Sequence, residues 1–273
     1  MFQFPFACGD AGFTFHGSRF TIDYSLFTTM TKTLCLDFGN TRQKAALFTN
    51  GTLEAVIPLE NDVEMELQAL VQQYQPQASI LSSVINHQKG LETFLAQHTR
   101  FHLLSSTSRL PFTIPVGKPE TVGADRLAIA AAAVHLFPHQ NVLVIALGSC
   151  VTYNFINGEA QLLGGAISPG MGMRFRAMHE YTAKLPLAKG TWNVPLIGYD
   201  TLTNLQSGVV LGMAMEMDGF IEEYNKRFSN FNAVLTGGDG PIFQSHLKSK
   251  IFADPDLIFK GLYAISNHNN AAE

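Results

Sequence analysis

From Leu34 onward the apolar positions fall into short runs broken by Gly-containing polar turns, and one layout occurs twice. In the first copy Leu34-Cys35-Leu36-Asp37-Phe38 ends in Gly39-Asn40-Thr41; a second run spans Lys44 to Phe48, and Asn50-Gly51 leads into a third from Thr52 to Leu59. In the second copy Val142 to Leu147 is followed by Gly148-Ser149, then Cys150 to Ile156, Asn157-Gly158 and Glu159 to Leu163. Asn-Gly favours the type I′ turn between adjacent antiparallel strands, so each copy predicts a hairpin whose first bend exposes glycine and small hydroxyl or amide side chains. Two such bends point to a nucleotide held between two similar lobes.

The pattern continues as β-β-β-α-β-α-β. Asn61-Asp62 caps a helix to about Tyr74, with Val63, Leu67, Leu70 and Val71 on one face and Pro76 beyond its end. A strand from Ala78 to Val84, a helix from about Gln88 to Thr99 and a strand from Phe101 to Leu104 complete the order of a ribonuclease-H-like lobe. A stretch with Pro111, Pro115 and Pro119 leads to an Ala-rich helix from Gly123 to Phe137, stopped by Pro138, as the connection between lobes. The second lobe repeats the three-stranded start, inserts the Gly- and Met-rich segment Gly164 to Met173, and continues with a core helix from about Thr203 to Phe228 and a short strand from Ala233 to Thr236. The expected fold is therefore α/β, with two ribonuclease-H-like lobes flanking a cleft. Expected boundaries are an extension over 1–29, a first lobe with its connection over 30–122, and the inter-lobe helix with the second lobe over 123–273. The Phe-rich extension has no basic segment ahead of an apolar one, and Met30 stands just before the first strand; an upstream start or a poorly ordered tail is expected there.

Composition narrows the class. A chain of 273 residues, 46% hydrophobic and 15% charged, has material for one large core or two moderate ones. A net charge of −4 with Lys and Arg scattered singly gives no footprint for nucleic acid. The longest apolar run, Leu127 to Phe137, is too short for a bilayer, which needs about 20 residues of helix. Cys8, Cys35 and Cys150 are far apart, which fits a reducing compartment better than a disulfide framework.

The candidate chemistry sits at the bends. Gly39 permits a sharp corner, Asn40 and Thr41 can bond phosphate oxygens, and Asp37 can hold hydrated Mg²⁺; a plain hairpin corner with an Asx turn accounts for one copy equally well. The second copy in the same context favours phosphate. Gly123-Ala124-Asp125-Arg126 opens the Ala-rich helix. Asp125 there complements the helix dipole, but a cation in the first turn opposes it. Arg126 is thus a candidate for a substrate carboxylate or the transferring phosphoryl, and Asp125 for the base that takes a hydroxyl proton. His135 and His139 have helical spacing, but Pro138 between them destroys the shared face. Met171, Met173, Met178, Met213, Met215 and Met217 are expected in packing roles. Neither Gly-x-Ser-x-Gly nor Gly-x-x-x-x-Gly-Lys-[Ser/Thr] occurs.

Over about residues 33 to 265 the chain resembles type III pantothenate kinases, of the acetate kinase, sugar kinase, Hsp70 and actin superfamily. The resemblance rests on Asp37-Phe-Gly-Asn-Thr41, Gly123-Ala-Asp-Arg126, Gly164-Gly-Ala-Ile-Ser-Pro-Gly170, Gly198-Tyr-Asp-Thr201 and Thr236-Gly-Gly238. It implies a cytoplasmic homodimer, with no membrane or nucleic-acid partner, that phosphorylates pantothenate from ATP with Mg²⁺ and K⁺ or ammonium. It also implies that Asp37, Phe38, Gly39, Asn40, Thr41, Arg42, Gln43, Lys44 and Ser149 bind ATP, and that Gly237 and Gly238 lie beside adenosine. Gly123, Ala124, Asp125, Arg126 and Thr201 would bind pantothenate, Thr201 from the partner's side of the dimer. Two positions depart from the family. Ala146 stands where an aspartate helps bind the monovalent cation, and Val116 where many relatives have a substrate-contacting tyrosine. A regulatory paralogue, or a kinase of another small hydroxyl compound, is the alternative expectation.

Overall fold

The computed structural model describes residues 13–15, 18–20, 31–87, 89–115, 117–191 and 193–270. The expectations for Val116 and for most of the 1–29 extension fall outside these residues. Within Met1–Thr31, β1 (Phe13–Phe15) and β2 (Ser18–Phe20) pair antiparallel.

Lys32–Glu273 forms one unit built on two five-stranded sheets of the same design. In the first, β3 (Lys32–Phe38), β4 (Gln43–Thr49) and β5 (Thr52–Leu59) form an antiparallel meander, and β6 (Ala78–Ser83) and β7 (Arg100–Leu103) add in parallel, giving the order β5-β4-β3-β6-β7. Helices α1 (Val63–Tyr74) and α2 (Lys89–His98) are the crossovers; Asp62 caps α1 by accepting from the Met65 N–H at 3.1 Å. In the second, β8 (Asn141–Leu147), β9 (Cys150–Ile156), β10 (Leu162–Pro169), β11 (Phe231–Thr236) and β12 (Phe252–Ala253) take the order β10-β9-β8-β11-β12. Between the sheets in sequence lies α3 (Ala124–Leu136); α4 (Met171–Glu180), α5 (Thr201–Arg227), α6 (Gly240–Gln244) and α7 (Leu257–Asn270) belong to the second half.

Strand alternation decides what each sheet face meets. Leu34, Leu36 and Phe38 of β3 join a core with α1 and α2, whereas Cys35 faces the opposite way. Leu143, Ile145 and Leu147 of β8 pack toward α5, and Val142 and Val144 face inward. Both inner faces meet one shared core made by α3 and α7. This explains the alanines of α3, where Ala128 and Ala130 to Ala133 are all buried: a helix packed on nearly every side takes mostly small residues, with Leu127 and Ile129 as its larger buried side chains. At Gly261 of α7 a Cβ would lie 1.8 Å from the Ala128 carbonyl oxygen, so the two helix backbones approach as closely as glycine allows.

The second hairpin differs from its expected form. Asn50 and Gly51 both have positive φ (50° and 87°), as a type I′ turn requires. Asn157-Gly158 is instead an Asx turn: the Asn157 side chain accepts from the Glu159 and Gln161 N–H groups, the Asn157 carbonyl accepts from Ala160, and the positive φ moves to Ala160. The third strand consequently begins later than expected, at Leu162, and runs through Gly164 and Gly165 to Pro169. A register shift at Leu162/Gly164 absorbs the positive φ of both glycines, and a Cβ on Gly165 would fall 1.8 Å from the Tyr153 carbonyl oxygen. Met213 and Met217 are core residues as expected, but Met173 and Met215 are exposed. Helix α3 ends before Pro138 and His139 has φ 60°, so the two histidines share no helical face.

Candidate active site

The two duplicated corners meet. Gly39 N–H donates to the Arg42 carbonyl at 3.0 Å and Gly148 N–H to the Cys150 carbonyl at 3.0 Å, so each strand pair closes in a tight bend. Across the gap the hydroxyls of Thr41 and Ser149 lie 3.1 Å apart. Two further segments back the second corner. Gly170, at the end of β10, donates to the Ser149 carbonyl at 3.1 Å, and Gly237 holds φ +97° because a Cβ there would lie 2.3 Å from the Leu147 carbonyl oxygen. Arg42 reaches from the first corner to the second half: its Nη1 lies 3.5 Å from where a Cβ of Gly238 would stand. Its charge partly offsets the effect of burial, which raises the Asp239 carboxyl.

Asp37 is the last inward-facing residue of β3, flanked in register by Lys44 on β4 and Ser82 on β6. Burial raises its carboxyl from an ordinary 3.8 to about 7; the Asp125 carboxylate adds to the rise and Lys44 opposes it. Asp125 occupies the first turn of α3, after the N-cap Gly123. Its side chain folds back over that cap, and a Cβ on Gly123 would sit 2.5 Å from Asp125 Oδ1, which ties the glycine of this segment to the position of the acid. Ala124 is buried under the same turn. The Arg126 Nε donates to Asn154 Oδ1 at 2.6 Å, and burial lowers the Arg126 pKa against the raising influence of Asp125.

The fold thus brings together Asp37, Lys44 and Asp125 through their charges, Thr41 and Ser149 through their hydroxyls, and Arg42 with Gly238. Asn40 is exposed at the corner, while Phe38 is buried and Gln43 starts β4, so Phe38 presents only its backbone there. Thr201 stands apart, exposed at the start of α5, where Asp200 and Thr203 form a capping box. Two inward-facing polar residues carried no sequence motif, Ser82 and Asn154. Their only sequence signal is a polar side chain at an inner position of a mostly apolar strand.

Among the described residues no group of three or more His, Cys, Asp or Glu has the arrangement of a metal site. The donor set nonetheless fits Mg²⁺ held with a nucleotide, which characteristically uses one or two protein carboxylates and completes its shell with phosphate oxygens and water. Asp37 provides a carboxylate, and the buried Ser82 hydroxyl beside it has no hydrogen-bond partner among the described residues. A monovalent cation fits less well. Ala146 corresponds by duplication to Asp37 and is flanked in register by Thr152 and Thr236, so no carboxylate stands at that position.

A duplicated β-β-β-α-β-α-β core with facing corner loops defines the fold shared by acetate kinases, sugar kinases, Hsp70 and actin. Solved structures agree on the fold. A Baf family transcriptional activator from Campylobacter jejuni aligns with a TM-score of 0.58 at 21% identity over 87% of this chain and 99% of that one. A 2-dehydro-3-deoxygalactonokinase-like protein from Sinorhizobium meliloti aligns with a TM-score of 0.56 at 12% identity over 86% of this chain and 98% of that one. Sequence comparison is more specific. The family profile "Type III pantothenate kinase" matches residues 33–223. Type III pantothenate kinases from Cytophaga hutchinsonii (40% identical, 86% of this chain and 99% of the relative) and Flavobacterium johnsoniae (38%, 84% and 95%) match nearly end to end. The chain belongs to the type III pantothenate kinase family.

Proposed function

We propose that this chain carries out its family's reaction, transfer of the ATP γ-phosphoryl to the primary hydroxyl of pantothenate at the start of coenzyme A synthesis, with Asp125 as proton acceptor. The observation that supports this reading most is the 3.1 Å approach of Thr41 to Ser149, which brings the two corners together, with Asp125 in electrostatic reach of Asp37. The segment Asp37 to Lys44 and Ser149 then hold the triphosphate through backbone N–H groups, hydroxyls and the Lys44 ammonium, while Gly237 and Gly238 leave room for adenosine. Asp125 accepts the proton of the pantothenate hydroxyl as that oxygen attacks in line, and Arg126 pairs with the substrate carboxylate. When bound, Mg²⁺ neutralises the polyphosphate, and Asp37 would hold it.

Ala146 supports a reaction that does not depend on K⁺, since a methyl group offers no oxygen to a hard cation. A KCl titration of the initial rate, against a NaCl control, is expected to change it by less than about twofold; strong activation by K⁺ means that another group supplies the missing ligand. A homodimer in the cytoplasm is the assembly we assign. Its support is a run of exposed apolar side chains leading to Thr201: Leu196 (72% exposed), Ile197 (83%) and Tyr199 (81%).

Pantothenate-dependent ADP release by the purified protein tests the reaction. Asp125→Asn is expected to lower kcat by about 10²-fold or more at unchanged melting temperature, the range found when a general base is removed. Unimpaired turnover in that variant removes Asp125 from its role. No observation favours a regulatory protein; the likeness to the Baf family structure bears on fold alone.

A further inference from the structure

Strand β9 turns Val151, Tyr153 and Phe155 toward the α5 side of its sheet, so alternation sends Thr152 and Asn154 to the inner face, against α3. Asn154 is completely buried there. Its Oδ1 accepts from Arg126 Nε at 2.6 Å, and its Nδ2 donates to Thr152 Oγ1 at 3.0 Å and to the Val144 carbonyl at 3.3 Å. The amide orientation follows from chemistry, because a guanidinium only donates and a carbonyl only accepts. Among the described residues no hydrogen bond engages Nη1 or Nη2 of Arg126, which leaves that terminal edge for an anion.

Arg174 supplies the contrast inside the same molecule. Its Nη2 meets Glu216 Oε2 at 2.5 Å, with Ser168 and Tyr153 also bonded to that carboxylate, so its charge is answered by the protein. Asn154 grips Arg126 without adding a negative charge of its own, and the acid acting on that arginine is Asp125, which makes no hydrogen bond to it among the described residues.

We propose that Asn154 is a positioning residue for the acceptor substrate, fixing the Arg126 guanidinium so that its terminal edge, with its charge intact, faces the pantothenate carboxylate. This rests on the pantothenate reading above. An arginine displaced by about 1 Å loses on the order of 10²-fold in rate or affinity, so the effect is measurable.

The test uses the full chain, with KM for pantothenate and for ATP measured separately beside the melting temperature. Asn154→Leu, which frees the guanidinium, is expected to raise the pantothenate KM about tenfold or more while the ATP KM stays within about twofold. Asn154→Asp keeps an oxygen on Nε, and Thr152 can turn its hydroxyl to donate to the second oxygen. It holds the arginine but neutralises it and loses the bond to the Val144 carbonyl, so the pantothenate KM rises here too while the ATP KM stays within about twofold. A purely structural role makes KM follow stability, and that outcome overturns the proposal, as does an unchanged pantothenate KM in either folded variant. Should Asn154→Leu fail to fold, Asn154→Asp alone reads the same quantity. Failure of the underlying reading is seen separately, as wild-type protein that releases no ADP in response to pantothenate; that result overturns the substrate named here as well.

Discussion

At the residue scale the site is governed by two acids of different standing. Asp37 lies deep enough for its carboxyl to reach about 7, so the folded chain keeps a proton that the unfolded chain releases near 3.8. The resulting stability is fully present below about pH 4, erodes as pH rises, and is gone above about pH 7. Asp37→Asn removes that loss. The variant is expected to melt roughly 4 °C or more above the wild type at pH 8, with the gap closing toward pH 4, and to be inactive; differential scanning fluorimetry across this range reads the effect. An equal gap at both ends of the range means that the carboxyl is not held protonated. Several residues of the site are legible without coordinates, because a glycine followed by small polar residues, Gly39-Asn40-Thr41 and Gly148-Ser149, recurs at the ends of two matching strands; Asp37 has no acidic counterpart, Ala146 standing in its place. Asn154 is not, since a polar residue within Cys150 to Ile156, even beside Thr152 at the same spacing, does not announce which face it takes or which cation it meets.

At the element scale the outcome depends on glycine. The first hairpin reads directly from its sequence because Asn50-Gly51 adopts the turn that its dipeptide favours. The second uses the same dipeptide differently, since the Asn157 side chain competes successfully for the backbone donors, and the strand beyond it contains the glycine pair Gly164-Gly165 that local patterning assigns to a loop. Only the tertiary contact of Gly165 with the Tyr153 carbonyl explains a strand there. Packing between helices is likewise set by absent side chains. Gly261→Ala forces a methyl group against the Ala128 carbonyl and is expected to destabilise by about 2 kcal/mol or more, lowering the melting temperature. Gly212→Ala in α5, where nothing lies within 4 Å, is expected to be neutral or to stabilise by up to about 1 kcal/mol. Equal responses to the two substitutions refute the close α3–α7 approach.

At the scale of the whole molecule, duplication makes the architecture readable: the order β-β-β-α-β-α-β, seen once in Leu34 to Leu104 and again from Val142, determines where both corners fall. What the order does not reveal is the shared core, because nothing in the alternation of Cys35, Ala46 and Ile80 says that α7, more than 170 residues later, covers them. The assembly is a separate matter. Ile197→Glu places charge on the exposed apolar run before α5 and is expected to convert a dimer into a monomer with pantothenate turnover reduced, measured by light scattering beside the assay. An unaltered dimer moves the interface elsewhere.

Because α7 roofs the first sheet as well as serving the second, the amino-terminal half is not an autonomous folding unit during translation. Part of its inner surface stays open on the ribosome until residues 257–270 have emerged, even after α3 has covered the rest, leaving an apolar patch that chaperones would have to shield while the second half is made.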